Sequence, residues 1–172
     1  MITYRAARPD EAAALAELAR DTFVETFGSL YGAEDLNAFL SAYKTPVWMA
    51  RALADADKRI HVAAEDDRLI GYCIVAFTSS LDYDLAGKKV VELSQLYLPN
   101  AYQGKGIAKA LMDWALEQAR DADEMILSVW SGNERAQRFY QKYGFVWIAD
   151  TVFMVGAHRD EEFLYRKQMR SA

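Results

Sequence analysis

Residues 90–119 constrain the fold most, because the pattern changes there from strand to helix across two closely spaced glycines. Residues 90–98 are dense in β-branched, aromatic and apolar side chains, which is typical of a buried strand. A Pro-Asn pair ends that pattern, and from Ile107 onward the apolar residues recur at helical spacing. Gly104 and Gly106 lie between the two patterns. The segment therefore predicts a strand, a glycine turn and a helix.

The glycine turn is suited to an anion. A residue without Cβ lets a bulky ligand approach the backbone closely, and the first amides of a helix have no intrahelical partner. Together with the positive end of the helix dipole, they can hold a phosphate or pyrophosphate. The turn lacks the third glycine of a dinucleotide fingerprint, where Lys109 stands, and the Ser or Thr of a P-loop, where Gly106 stands. An ordinary strand–helix turn with a glycine N-cap remains the alternative from this segment alone.

The rest of the chain predicts a mixed α/β (α+β) sheet with helices on both faces. The predicted elements are a strand at 2–6, a helix opening at 8–11, helical stretches at about 33–42 and 46–55, strands at 60–65, 69–77 and 125–129, a helix at 134–142, and strands at 145–155 and 163–169 joined by a loop at 156–162. At 172 residues the chain is expected to form one domain over residues 1–172.

Composition narrows the function classes. The formal net charge of -5 argues against nucleic acid and against an anionic membrane surface as partners, and it is compatible with a cationic substrate. The single cysteine, Cys73, lies in an apolar run and can form no internal disulfide. The chain shows no signal peptide and no apolar run that could span a bilayer. A cytoplasmic location is therefore expected.

Two motifs resemble those of the GNAT N-acetyltransferase superfamily. The first is the glycine turn, with Gln103, Gly106 and Ala108 at the family's spacing. The second follows at the usual distance and comprises Asn133, Ala136, Phe139, Tyr140, Gly144 and Phe145. The resemblance implies the GNAT fold, which has a mostly antiparallel sheet of about seven strands. It also implies acetyl-CoA as co-substrate, bound through Gln103, Gly104, Lys105, Gly106, Ile107, Ala108 and Lys109.

The same resemblance assigns roles to residues outside the turn. The backbone of Leu96, Tyr97 and Leu98 is expected to pair with the pantetheine amides as another strand would. Asn133 is expected to contact the pantetheine arm, and Tyr140 is expected near the thioester sulfur. A tyrosine with an ordinary pKa of about 10 is protonated at neutral pH and can donate a proton to the departing thiolate. Without the surrounding motif, Tyr140 would be interpreted as an amphipathic core residue.

The catalytic base is predicted to be Glu92, a charged residue within an otherwise apolar strand, where regular alternation would place it on one face with Ser94 and Leu96. Burial there could raise its pKa toward the range of a base. A glutamate at a strand end in solvent is the alternative, and both readings stay open. Many relatives carry a glutamate on the next strand, where this chain has Ser128. His61 and His158 lie in no motif, and no metal site is expected from two distant histidines and one cysteine.

A narrower resemblance, over residues 22–28 and 34–36 and also over 92–98 and 129–136, is to bacterial polyamine (spermidine/spermine) N-acetyltransferases. It implies a small primary amine as acceptor. The sequence shows no nucleophilic cysteine or serine with a partnered histidine, so direct attack on the thioester is expected. The wall that contacts the acceptor is expected from the first helices and the loop before the central strand, with Glu25, Tyr31, Asp82, Tyr83 and Asp84 as candidates to meet a cation; a solvated acidic surface with packing aromatics is the alternative. Ser131 stands where those relatives often have Glu, which removes a carboxylate near the expected site. Acetylation of peptide N-termini or amino acids, or a non-catalytic acyl-CoA-binding module, are the alternatives. Whether the chain is a monomer or a homodimer stays open.

Overall fold

A seven-stranded sheet forms the centre of the molecule in the computed structural model, which describes residues 1–170. The strand order across the sheet is β1-β2-β3-β4-β5-β7-β6, and within the described residues only β4 and β5 pair in parallel. The strands are β1 (Ile2–Ala6), β2 (Lys58–Glu65), β3 (Arg68–Ala76), β4 (Val90–Tyr97), β5 (Glu124–Trp130), β6 (Val146–Val155) and β7 (His158–Gln168). The predicted mixed, mostly antiparallel sheet is confirmed.

Five helices in the described part of the chain cover both faces of this sheet. They are α1 (Ala12–Phe27), α2 (Ala33–Tyr43), α3 (Pro46–Ala54), α4 (Ile107–Gln118) and α5 (Glu134–Lys142). Helices α1 and α3 pack on one face, hereafter the α1 face, against apolar side chains of β2 and β3 such as Val62 and Ile74. Helices α4 and α5 pack on the other, the α4 face, where Leu111, Met125 and Phe145 are buried. None of the helices described is long and apolar enough to cross a membrane.

The functional region is created where β4 and β5 separate. Their parallel pairing covers only Val90–Glu92 against Glu124–Ile126. Beyond that point a β-bulge shifts the pairing of β4 with β3, leaving Ser94 as the additional residue between Leu93 and Gln95. Because a bulge bends its strand and increases the local twist, β4 turns away from β5 and the sheet opens.

The C-terminal hairpin differs from the prediction. The sequence pattern predicts a loop over residues 156–162, whereas β6 and β7 are joined by a tight turn at Gly156 and Ala157, with Val155 paired to His158. Gly156 takes a left-handed backbone with φ of 60°, the conformation that short hairpin turns require. Five residues predicted in a loop, 158–162, are consequently strand, and Glu162 pairs with Trp130 of β5.

Candidate active site

A cleft of about 610 Å³ occupies the opening between β4 and β5. The α4 face contributes the glycine turn and α5, and the α1 face contributes the C-terminal turn of α1. The residues that line it are Glu25, Thr26, Phe27, Leu93, Ser94, Gln95, Leu96, Tyr97, Leu98, Asn100, Gln103, Gly104, Gly106, Ala108, Lys109, Ser128, Val129, Trp130, Asn133, Arg135, Ala136, Phe139, Tyr140 and Glu162. Most of the predicted site therefore lies in one cavity.

The glycine turn has the open geometry that an anion site needs. Gly104 and Gly106 have φ of 76° and 82°, in the left-handed region that favours glycine. Gly106 is the N-cap of α4, so the first helical amides follow it directly. A Cβ built on either glycine would meet no atom within 4 Å. The space above both glycines is open to the cleft and can admit a bulky anion.

Two of the residues predicted to bind the cofactor do not line the cleft. The Ile107 side chain is fully buried in the core of the α4 face, so at this position only its backbone could serve a ligand. The Lys105 ammonium lies over the ring of Tyr102, 4.8 Å from the centroid. Positive charge in the cleft comes instead from Lys109 and from Arg135, a residue that the sequence analysis did not single out.

Helix α5 brings Asn133 and Tyr140 to the cleft, and Asn133 is also its N-cap. The Asn133 side chain accepts a hydrogen bond from the amide of Ala136 at 3.1 Å, which fixes the start of the helix. Tyr140, two turns along, reaches the cleft from the α4 face. Burial, followed by the proximity of Tyr97, Cys73 and Glu162, raises the pKa of Tyr140 well above its ordinary value. The phenol is therefore protonated throughout the neutral range.

Glu92 is not among the residues that line the cleft, although its neighbour Leu93 is. It is almost completely buried, and its carboxylate accepts a hydrogen bond from the Ser79 hydroxyl at 2.9 Å and one from the Ser80 amide at 2.8 Å. The expected grouping of Glu92 with Leu96 on one strand face fails because the bulge at Ser94 changes which side chains share a face. Leu96 packs in the core of the α4 face.

The loop before β4 is also held away from the cleft. Tyr83 donates a hydrogen bond to Glu124, whose side chain is fully buried and also accepts one from Lys88 at 2.7 Å. Burial alone would raise the pKa of Glu124, but hydrogen bonds from Lys88 and Tyr83 outweigh it and lower the pKa. The loop is thus held over β5, and Asp82, Tyr83 and Asp84, which were expected at the acceptor wall, do not line the cleft.

Glu162 is a second charged residue of the cleft, besides Arg135, that the sequence did not lead us to predict. It enters the cleft from β7, beside Ser128 and Trp130 of the neighbouring strand. Burial raises its pKa, with Asp160 adding to the rise and the Ser128 hydroxyl opposing it. A hairpin signal was available in Gly156, which ends the alternating apolar residues of β6. A two-residue turn there would have extended β7 back to Glu162.

The α1 face of the cleft is aromatic and acidic. Phe27 makes edge-on contacts with Tyr97 and Trp130, with ring centroids 6.4 and 6.2 Å apart. Carboxylates of Glu25 and Glu162 line the same cavity, whereas its two cations, Lys109 and Arg135, come from the start of α4 and from α5. The cations that line the cleft thus come from the α4 face and its carboxylates from the α1 face. Lys109 is itself ion-paired with Asp113 at 2.6 Å, and Glu25 accepts a hydrogen bond from the Asn100 amide at 2.9 Å.

Comparison with known proteins agrees with this architecture. The family model described as "Acetyltransferase (GNAT) family" matches residues 12–145. An uncharacterized N-acetyltransferase of Mycobacterium tuberculosis is 34% identical over 159 residues, covering 90% of this chain and 96% of the relative. An uncharacterized N-acetyltransferase of Lactobacillus delbrueckii is 28% identical over 159 residues, covering 88% of each. The crystal structure of PaiA N-acetyltransferase from Thermoplasma acidophilum, in complex with coenzyme A, is similar in fold, with a TM-score of 0.79 at 22% identity over 98% of this chain and 99% of that one.

Proposed function

The chain belongs to the GNAT acetyltransferase family and is an acetyl-CoA-dependent N-acetyltransferase, and we propose that its acceptor is a small, cationic primary amine. The amine attacks the acetyl thioester directly, without a covalent acetyl-enzyme. The observation that carries the proposal is the division of the cleft: cations and helical amides lie on the α4 face, and carboxylates with aromatic rings lie on the α1 face.

The donor half of the cleft, where acetyl-CoA is proposed to bind, uses mainly backbone groups. In this proposal the amides of residues 104–109 receive the pyrophosphate, with Lys109 and Arg135 adding positive charge beside it. The edge of β4 that faces β5 has strand partners only as far as Glu92. Backbone groups of Leu96–Leu98 on that edge can therefore pair with the amides of pantetheine. Asn133 lies at the same cleft and faces the arm.

Tyr140 serves as the general acid. As the amine forms its bond to the acetyl carbon, the C–S bond breaks and the thiolate of CoA requires a proton. Burial keeps the pKa of Tyr140 high, so the proton is present on the phenol when the thiolate departs. Its position on the α4 face matches the side on which the proposed cofactor site lies.

The acceptor wall favours a cation. An alkylammonium ion is attracted to carboxylates and to the faces of aromatic rings, and this wall offers Glu162, Glu25, Phe27 and Trp130. The two carboxylates can serve two ammonium groups of one molecule. A polyamine is accordingly the preferred member of the class, in line with the resemblance of the first helices to polyamine acetyltransferases.

An acceptor screen tests the proposal. The purified chain is incubated with acetyl-CoA and spermidine, spermine, 1,4-diaminobutane, single amino acids or short peptides, and released CoA thiol is measured together with product mass. We expect polyamines to give the highest kcat/KM, and 1,4-diaminobutane to exceed its matched control, butylamine, which lacks the second ammonium. Preference for peptides or amino acids would overturn the acceptor class. Tight CoA binding with no transfer to any amine would indicate a binding module.

A further inference from the structure

We propose that Glu162 is the catalytic base that accepts the proton of the attacking amine. The inference rests on the proposed function, since it requires an amine that arrives protonated. It replaces the predicted role of Glu92, whose carboxylate is held by Ser79 and Ser80 outside the cleft-lining set.

The position of Glu162 is set by strand pairing. On one side it pairs with Trp130 of β5, and on the other with Thr151 of β6. Asp160, two residues earlier on the same side of β7, accepts a hydrogen bond from Tyr31, which packs with α1 and α2. Glu162 therefore belongs to the α1 face, whereas Tyr140 approaches the same cleft from the α4 face.

Opposite faces are the arrangement that direct attack requires. The nucleophile approaches the thioester carbonyl from one side, and the thiolate departs toward another. A base on the acceptor side and an acid on the sulfur side can then act on different atoms without exchanging protons with each other. Glu162 and Tyr140 are placed in this way at the cleft. Glu25, the other carboxylate of the α1 face, accepts a hydrogen bond from the Asn100 amide at 2.9 Å.

The surroundings of Glu162 suit a proton acceptor. The groups that face it are Tyr97 from β4, Tyr140 from α5, Tyr31 after α1 and Asp160 from its own strand. Asp160 is itself within 3.2 Å of His158. In the described part of the chain no lysine, arginine or histidine forms an ion pair with Glu162. The carboxylate is thus free to receive a cation, and its half-buried position favours the protonated form once it has done so.

The steps balance as follows. Glu162 takes one proton from the ammonium, and the freed lone pair forms the N–C bond to the acetyl carbon. The C–S bond breaks, and Tyr140 donates its proton to the thiolate. The second proton of the nitrogen leaves through solvent and restores Tyr140, while Glu162 releases its own proton to solvent. The products are the amide, CoA thiol and one proton.

The test compares pH profiles of kcat/KM for wild type, Glu162→Gln and Glu161→Gln. Glu161 is the matched control, since it is the adjacent, exposed glutamate on β7 and does not line the cleft. We expect Glu162→Gln to lower kcat/KM about 10²-fold at pH 7. The deficit should shrink toward pH 9.5, where the amine increasingly loses its proton unaided. Glu161→Gln should follow the wild-type profile, and the Kd for CoA should be unchanged in both variants.

Several outcomes would overturn the inference. One is a Glu162→Gln profile parallel to wild type; another is a change confined to the KM for the amine, which would mean that Glu162 only binds the ammonium. If the decline of kcat/KM at low pH disappears in Glu92→Gln and in no other variant, the base is Glu92. If Glu162→Gln does not fold, Glu162→Asp is tested instead. A kcat at least fivefold lower, with the decline of kcat/KM at low pH retained, supports the inference, and an unchanged kcat opposes it.

The two proposals fail separately. The assay uses whichever amine the screen identifies, so a peptide acceptor would overturn the proposed substrate class and leave the Glu162 test intact. A chain that acetylates no amine would overturn both.

Discussion

Replacing Gly106 with alanine separates two roles of the glycine turn, backbone conformation and ligand access. Its φ of 82° lies in the left-handed region, where an L-residue costs roughly 1–2 kcal/mol. Gly87, in the exposed loop before β4, has φ of 77° and likewise no atom within 4 Å of an added Cβ. Gly87→Ala is therefore a matched control with the same conformational cost outside the cleft.

Both variants should lose about 1 kcal/mol of unfolding free energy, which lowers Tm by about 2–4 °C in a chain of this size. Only Gly106→Ala places a methyl group over the amides at the start of α4, in space that is otherwise open to the cleft. Excluding the pyrophosphate from close approach should raise the Kd for CoA at least tenfold, or about 1.4 kcal/mol.

Thermal unfolding without ligand measures the first effect, and calorimetric titration with CoA measures the second. The two variants should match in the first measurement and differ in the second. A Gly106→Ala protein that loses the expected stability but binds CoA within twofold of wild type would refute the assignment of residues 104–109 as the pyrophosphate site. Weakened binding in Gly87→Ala would show that the effect is not local.

Tyr140→Phe should lower kcat about 10²-fold or more and leave the Kd for CoA unchanged, as steady-state kinetics and calorimetry can check; a turnover near wild type would remove Tyr140 from the mechanism. Because burial raises the pKa of Tyr140, no fall in rate from its ionisation is expected up to pH 10. Lys44→Met should stabilise the protein at pH 7, because burial lowers the pKa of Lys44 from 10.5 to about 8, a shift worth at most about 3 kcal/mol. The unfolded chain binds more protons between pH 8 and 10.5, so wild-type stability rises there and the advantage of the variant disappears. A destabilised Lys44→Met at pH 7, measured by denaturant unfolding, would show that the Gln95 hydrogen bond and the surrounding rings outweigh desolvation.

Local patterns in the sequence predict the backbone of the glycine turn and the start of α5. The two left-handed glycines, the helix that follows Gly106 and the Asn133 cap each depend on a few consecutive residues. Their geometry can consequently be predicted from spacing and residue type. The seven-stranded sheet is readable for the same reason, since each strand and helix carries its own periodicity.

The proposed base, Glu162, could not be predicted from local patterns. Assigning Glu92 to the cleft assumes unbroken alternation along β4, and the bulge at Ser94 interrupts it. A bulge is determined by the pairing of β4 with β3 and by the departure of β5, which are tertiary events. Glu162 was missed because its strand was predicted to begin after it, and the position of the β6–β7 turn decides that boundary.

The division of the cleft between two faces explains why the donor is easier to recognise than the acceptor. In the proposed site, coenzyme binding relies on backbone amides and on the unpaired edge of β4, which arises where β4 and β5 separate after a short parallel pairing. The proposed acceptor wall relies on side chains of α1 such as Glu25 and Phe27, which lie on the other face. Of these, Glu25 also accepts a hydrogen bond from the Asn100 amide at 2.9 Å, before the glycine turn. Substitutions on α1 at positions such as Phe27 can therefore change the acceptor while the donor half stays intact. Glu162 lies on a strand of the central sheet rather than on α1. Its proposed role as proton acceptor can therefore persist when side chains of α1 around the amine change.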